Sequence, residues 1–294
     1  MKTMIKSVRG ALLAVAAMAV AAPAMAAGQA PHIERQQWSF SGPFGQYDKA
    51  QLQRGFKVYK EVCASCHGAR LLSFRNLAEE GGPGFTEDQV KAVAAEYTVM
   101  KGPNDDGEME EVAAIPSDRW PSPFPNEQAA RAANGGAYPP DFSTLAKARA
   151  VASGFPGFVF DMFTQYQEHG PDYIYNLLTG YKDAPACFGE DFSGYYNEKF
   201  IGGSITNEEC HGQPLTGGPI GMAPPLSDEQ VEYTDGTPMT VDQYAHDVSA
   251  FMMWVAEPKL EERKSMGFRV MIFLVIFASL LYFTKKSIWR DVEH

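Results

Sequence analysis

The chain is short of cysteine and, over most of its length, of basic residues. Its 294 residues hold four cysteines and a single Cys-x-x-Cys pair, whereas a structural zinc site needs four ligands and usually two such pairs. No internal repeat or low-complexity tract is present, which excludes a repeat architecture. Residues 27–262 carry 16 Lys and Arg against 34 Asp and Glu, a net −18 within a whole-chain −11. A domain that acidic repels nucleic acid and anionic lipid and steers a basic protein toward itself. Its acidic side chains gather at Glu79-Glu80, Asp105-Asp106-Gly107-Glu108 and Glu110-Glu111. These clusters are either docking surface or ordinary solvated surface.

Two of the four cysteines stand in Cys63-Ala64-Ser65-Cys66-His67. Cys-x-x-Cys-His is the attachment signature of a c-type haem: two thiols add across the porphyrin vinyl groups, and the adjacent imidazole reaches the iron from one face. A redox dithiol has no need of His67. The motif occurs once, so one covalently bound haem c is expected. A haem enzyme such as a peroxidase would need an open iron site or a second haem.

Thioether attachment of this kind is made outside the bacterial cytoplasm, and the N-terminus agrees. Lys2, Lys6 and Arg9, the apolar run Ala11 to Ala22 and the small residues Ala24-Met25-Ala26 read as a secretory signal peptide over residues 1–26. Near the other end, Ser265 to Thr284 is a twenty-residue stretch whose only charge is Arg269. A helix of that length crosses the ~30 Å hydrocarbon core. Arg269 lies early enough to snorkel, and Tyr282 and Trp289 suit an interface. Lys285, Lys286 and Arg290 mark the cytoplasmic side. The expected plan is a periplasmic domain over 27–257, a membrane-anchoring helix over 258–285 and a cytoplasmic tail over 286–294. The chain would cross a bacterial inner membrane once.

The fold class expected is mainly α, with long loops. Asp48 to Val62 carries Leu52, Phe56, Tyr59 and Val62 at helical spacing behind a plausible Asp48 cap. Asp172 to Thr179 is shorter and ends at Gly180. Val241 to Val255 places Tyr244, Val248, Phe251, Met252 and Val255 on one stripe. Gly, Pro and Asn punctuate 81–84, 102–107, 116–126, 134–141 and 212–225. Class I cytochromes c cross their first and last helices at a small residue, and this chain resembles that plan, with Gly55 and Tyr59 facing the Phe251 and Trp254 region. Pro258 suits the first turn of a helix running unbroken into the membrane, which would couple the haem domain rigidly to its anchor.

The second axial ligand separates electron carriage from small-molecule activation, since a methionine sulfur raises the potential and closes the iron. Thirteen methionines are present. Met222 stands out in Gly217-Gly218-Pro219-Ile220-Gly221-Met222-Ala223-Pro224-Pro225, where the loop backbone can approach a porphyrin closely. Met252, Met253 and Met271 read as packing residues. His32, His169, His211 and His246 are the alternative ligands.

Ordered motifs along the chain resemble the cytochrome c1 family, haem subunits of the quinol:cytochrome c oxidoreductase (bc1) complex. They are Cys63 to His67, Gly102 to Met109, Ala130 to Asn134, Pro139-Pro140-Asp141, Leu177 to Tyr181, Ile220 to Pro225, Asp235 to Pro238 and Ala256-Glu257-Pro258. The resemblance implies a haem held by Cys63, Cys66 and His67 with Met222 as the axial sulfur. Asn134, Pro140, Arg149 and Tyr173 fall where the family contacts its haem, Arg149 and Tyr173 near the propionates. It implies an electron carrier with no catalytic residue of its own, partnered by cytochrome b, a Rieske iron-sulfur protein and a soluble cytochrome c. The acidic stretches resemble the surface offered to that soluble cytochrome.

Two features depart from the mitochondrial pattern and point to a bacterial, alphaproteobacterial member. Val151 to Gly170 is an aromatic, glycine-rich insertion. Cys187 and Cys210 are additional, and in an oxidising periplasm the pair left after haem attachment is most simply a disulfide. Closing that loop of about 24 residues is worth roughly 3 kcal/mol on the chain-entropy model and would tie down the segment leading to Met222. A free-standing anchored cytochrome c serving an oxidase would share the motif and anchor but not the family segments.

Overall fold

The computed structural model describes residues 31–151, 153–189, 191–202, 210 and 215–291. The signal-peptide segment and His211 lie outside them. Helix α1 (Lys49–Val58) opens where Asp48 accepts the Gln51 N–H at 2.8 Å, satisfying one of the free donors of the first turn. The helical path then widens into a π segment, Tyr59–Cys63, so the single helix expected over 48–62 is two kinds of helix ending on the first haem cysteine. A 3-10 turn (Phe74–Ala78) and α2 (Glu87–Ala95) follow, then an antiparallel hairpin of β1 (Thr98–Lys101) and β2 (Glu110–Ala113). Helices α3 (Glu127–Ala133), α4 (Leu145–Ala148) and α5 (Gly157–Thr164) are short.

Helix α6 runs His169–Thr179 and stops at Gly180. It starts three residues before the expected Asp172, because Pro171 falls within the first turn, where its missing N–H costs nothing. Strands β3 (Tyr181–Lys182), β4 (Tyr195–Asn197) and β5 (Gly218–Ile220) form an antiparallel sheet in the order β3-β4-β5. Neither sheet is legible in the sequence, since strands of two to four residues are too short to show an alternating pattern, and only β5 falls in a stretch that reads as a loop. Helix α7 (Val241–Ala256) opens at Thr240, whose hydroxyl accepts the Gln243 N–H. Helix α8 (Leu260–Ile288) begins two residues after Pro258 and runs unbroken for 29 residues. Its apolar window has a mean hydropathy of 2.1, and none of that window is buried. It is long and apolar enough to cross a membrane.

The core forms where α1 crosses α7. A Cβ on Gly55 would lie 2.2 Å from the Asp247 carbonyl oxygen and 2.7 Å from the Phe251 Cβ, so only glycine permits this approach. Leu52, Phe56, Val248, Phe251 and Trp254 are buried around the crossing, each contributing about 2 kcal/mol relative to exposure. The Arg54 guanidinium clamps the fully buried Asp247 carboxylate with bonds of 2.9 and 3.2 Å, and Tyr233 donates to it at 3.0 Å. A buried carboxylate needs that many donors.

Helix α6 packs against α7 in the opposite direction: Tyr175 donates to Asp242 at the start of α7. Glu168, just before α6, interacts electrostatically with Lys264 in α8. The junction between α7 and α8 is tied down at several points. Glu257 bridges Lys147 at 2.7 Å and also pairs with Arg263. Lys259 pairs with Glu79 at 3.2 Å, and Leu260 is buried. The Tyr47 N–H donates to Glu261 at 2.9 Å.

Candidate functional site

The π segment delivers Cys63 beside the aromatic core, and the chain turns at once: the Cys66 and His67 N–H groups both donate to the Cys63 carbonyl. Tyr59, buried between Trp120, Phe142 and Phe251, donates to the His67 carbonyl at 3.0 Å. Burial, and then the neighbouring Cys66, push the Cys63 thiol up to about 12. That is opposite to the depressed pKa of an attacking redox thiol. Among the described residues, no group of three or more His, Cys, Asp or Glu side chains could hold a metal ion.

His67 is oriented from the far side by residues 140–143. Its Nδ1 lies 2.7 Å from the Pro140 carbonyl oxygen, an acceptor only, so Nδ1 carries the proton and Nε2 the lone pair. The ring stacks on Phe142 with centroids 4.6 Å apart. Burial holds the imidazole below its usual basicity, against the Pro140 hydrogen bond and Asp141, which raise it. The same segment is laced to the turn after His67: Phe142 N–H donates to Gly68 O at 2.7 Å, Arg70 N–H to Asp141 at 3.0 Å and Leu71 N–H to Ser143 at 3.0 Å. A ring fixed in tautomer and direction by a backbone acceptor is how an iron-ligating histidine is held. The donor set of two thiols and one lone-pair nitrogen fits a thioether-linked haem.

Met222 comes from a separate unit. It follows β5 by two residues, and its carbonyl accepts the Tyr181 hydroxyl at 3.1 Å. The loop reaches the His67 side of the molecule, since a Cβ on Gly221 would lie 3.1 Å from that of Ala137, three residues before Pro140. The sheet behind it closes tightly. Gly217 has φ +75°, and a Cβ there would lie 2.0 Å from the Asn197 carbonyl oxygen, which requires glycine. Asn197, fully buried, donates to Leu177 O at 2.7 Å. Cys187 and Cys210 form a disulfide with Cα atoms 5.2 Å apart. Phe188, beside it, packs its ring against Tyr196 of β4 at 5.7 Å, so the tether joins the sheet whose last strand leads to Met222.

The other residues expected at the haem form two groups. Asn134 caps α3 and turns its amide back to Ala130 O at 2.7 Å, in the same loop as Pro140. Arg149, exposed at the end of α4, interacts electrostatically with Tyr173 of α6, which is buried and accepts the Ile201 N–H at 3.1 Å. Of the alternative histidines, His246 stacks on Trp38 at 4.5 Å and faces Gln51 at 2.8 Å. His169 pairs with Asp161 at 3.0 Å, and His32 is exposed. Phe142 and Tyr181 were not singled out individually. Their only signal was position, beside Pro140-Asp141 and closing Leu177 to Tyr181.

The acidic clusters differ. Asp105, Asp106, Glu108, Glu110 and Glu111 are all exposed on or beside the β1–β2 hairpin. Glu79 instead is engaged by Lys259 and by Asn76 at 2.9 Å, which makes it part of the anchor junction.

The sequence profile of the Cytochrome C1 family matches residues 38–292. The chain belongs to the cytochrome c1 family. It is 43% identical over 295 aligned positions to cytochrome c1 of Rhodospirillum rubrum, covering 100% of both chains. It is 48% identical to cytochrome c1 of Blastochloris viridis over 277 residues, covering 94% of this chain and 92% of that one. A protein of Bradyrhizobium diazoefficiens named cytochrome b/c1 is 54% identical over 255 residues, which make up 86% of this chain but 35% of that longer one. Members of the cytochrome c1 family carry covalent haem c, and Cys63, Cys66 and His67 form its attachment motif here.

Proposed function

We propose that this chain is the membrane-anchored haem subunit of a quinol:cytochrome c oxidoreductase (bc1) complex. It takes single electrons from a Rieske iron-sulfur protein and passes them to a soluble, basic cytochrome c. The observation that carries the reading is the 2.7 Å contact between His67 Nδ1 and the Pro140 carbonyl within Cys-x-x-Cys-His. Bound haem c supplies a one-electron ferric/ferrous couple. Cys63 and Cys66 would hold it covalently, and the His67 imidazole and the Met222 thioether would be its iron ligands. Asn134 and Pro140 would line its site, and Arg149 and Tyr173 would balance the charge of its carboxylates. No acid, base or nucleophile is asked of this chain, and quinol chemistry belongs to the partners. Cytochrome b is the partner across the membrane, a reading supported by the relative whose name and length join the two.

In this reading residues 1–26 are removed as a signal peptide and 27–257 lie in the periplasm. The segment 258–285 anchors in the inner membrane, and 286–294 are cytoplasmic. Purifying the membrane complex is expected to yield cytochrome b and an iron-sulfur protein beside a reduced haem that does not bind carbon monoxide. A haem subunit purified without them, or one that binds carbon monoxide when native, overturns it. The exposed carboxylates of the β1–β2 hairpin steer the acceptor. Raising ionic strength from ~0.01 to ~0.15 M shrinks the Debye length from ~30 to ~8 Å, so electron delivery to basic cytochrome c is expected to slow by roughly tenfold or more. A rate indifferent to salt removes the docking role.

A further inference from the structure

The insertion over 151–170 presents a face that the electron-transfer reading does not use. Between Val151 and Gln167 the only charged residue is Asp161, and it is turned inward, bonded to Arg35 at 2.6 Å and His169 at 3.0 Å. Around it Phe155, Phe158, Phe160, Met162 and Phe163 are 83, 50, 64, 58 and 81% exposed. Asp161 thus turns one side of α5 to the domain, while Phe158, Phe160, Met162 and Phe163 on it and Phe155 just before it are exposed. A contiguous exposed apolar patch of this kind marks a protein or membrane contact.

Its place in the fold selects the membrane. Helix α6 runs antiparallel to α7, so its start lies at the end where α7 hands over to α8. Glu168 there interacts with Lys264, the last charged residue before the apolar run. Thr164, the end of α5, is four residues away, at most ~14 Å of chain. A second point of the head sits at the same level: Phe44, 73% exposed, meets Phe268 of α8 edge-on at 5.5 Å. Phe268 is one helical turn past Lys264, roughly 6 Å along the axis. The patch and the span thus both depart from the same end of the domain. The headgroup zone is roughly 5–7 Å deep on each side of the hydrocarbon, within reach of α5. The domain's acidic balance gives no attraction to anionic lipid, so the contact is apolar in origin.

We propose that α5 lies in the lipid–water interface of the membrane that α8 spans, with Phe155, Phe158, Phe160, Met162 and Phe163 immersed among headgroups and upper acyl chains. The insertion is then a second, monotopic foot of the haem domain. This rests on α8 being the anchor, and the test separates the two claims. The photoreactive analogue p-benzoylphenylalanine replaces Phe160, Phe163 or, as a control, Phe273 of α8 in the full chain, expressed with its complex. Native membranes are then irradiated and adducts identified by mass spectrometry. Phospholipid adducts at 160 and 163 are expected at yields within about threefold of that at 273. Adducts to another polypeptide at 160 and 163, or none there while 273 captures lipid, overturn the interfacial helix. Absence of a lipid adduct at 273 overturns the anchor reading instead.

Discussion

His67 and Met222 arrive at the candidate iron site by opposite routes. His67 follows the haem cysteines directly, and its orientation is set by the main core: Tyr59 below it, Phe142 stacked on it, and Pro140 holding Nδ1. Met222 lies 155 residues downstream, on a loop carried by a three-stranded sheet, the Tyr181 hydroxyl and a disulfide. The proposed histidine ligand is secured by burial, the proposed methionine ligand by a few short-range devices around a loop. Damage to the core should therefore cost the whole protein, and damage to the sheet only the sulfur.

The largest effect expected is that of Gly55→Val, which places side-chain atoms inside the Asp247 carbonyl and parts α1 from α7. Membranes from such a strain should contain almost no haem-bearing chain by gel staining, and normal levels would refute the crossing as the keystone. Met222→Leu should leave the fold and attached haem in place. Its midpoint should drop by more than 100 mV on the order expected for loss of a methionine ligand, and the reduced protein should acquire carbon monoxide binding. Replacing both Cys187 and Cys210 with serine should give a milder form of the same change, loosening the tether by roughly 3 kcal/mol and lowering the potential. An unchanged potential and no carbon monoxide binding would show that the sheet alone suffices.

The smallest effect lies at the anchor junction. Burial alone raises the Glu257 carboxyl, but hydrogen bonds from Arg263 and Lys147 outweigh it and hold it below its ordinary 4.5. A depressed carboxyl stabilises the fold fully above the unfolded value, and that share is lost as pH falls through the folded value. Glu257→Gln should therefore cost about 0.5 kcal/mol at neutral pH, since Lys147 and Arg263 are half exposed to screening, and progressively less at an acid pH below its folded value. Thermal melts at the two pH values check it.

The same contrast explains what the chain discloses before it folds. Attachment of the haem depends on five consecutive residues, and α1 and α7 on spacings within single helices. The crossing of Gly55 with Phe251 is legible only through the resemblance to the class I cytochrome c plan. The Pro140 carbonyl was not visible in this way. A backbone acceptor has no residue code, and Pro140 became a candidate only through its resemblance to a family motif. The β3–β5 sheet depends on pairings between strands of two or three residues, and the inward turn of Asp161 depends on Arg35, more than a hundred residues earlier. Glu79 illustrates the converse. It looked like surface charge, and only tertiary structure brings Lys259 against it.

The short passage from α7 into α8 has a consequence for turnover. With Glu257, Lys259, Leu260 and Glu261 all engaged by the head, the domain is fixed to α8, and a haem carried in it would keep one height above the bilayer that α8 is proposed to span. Any gap between donor and acceptor must then be closed by the visiting protein.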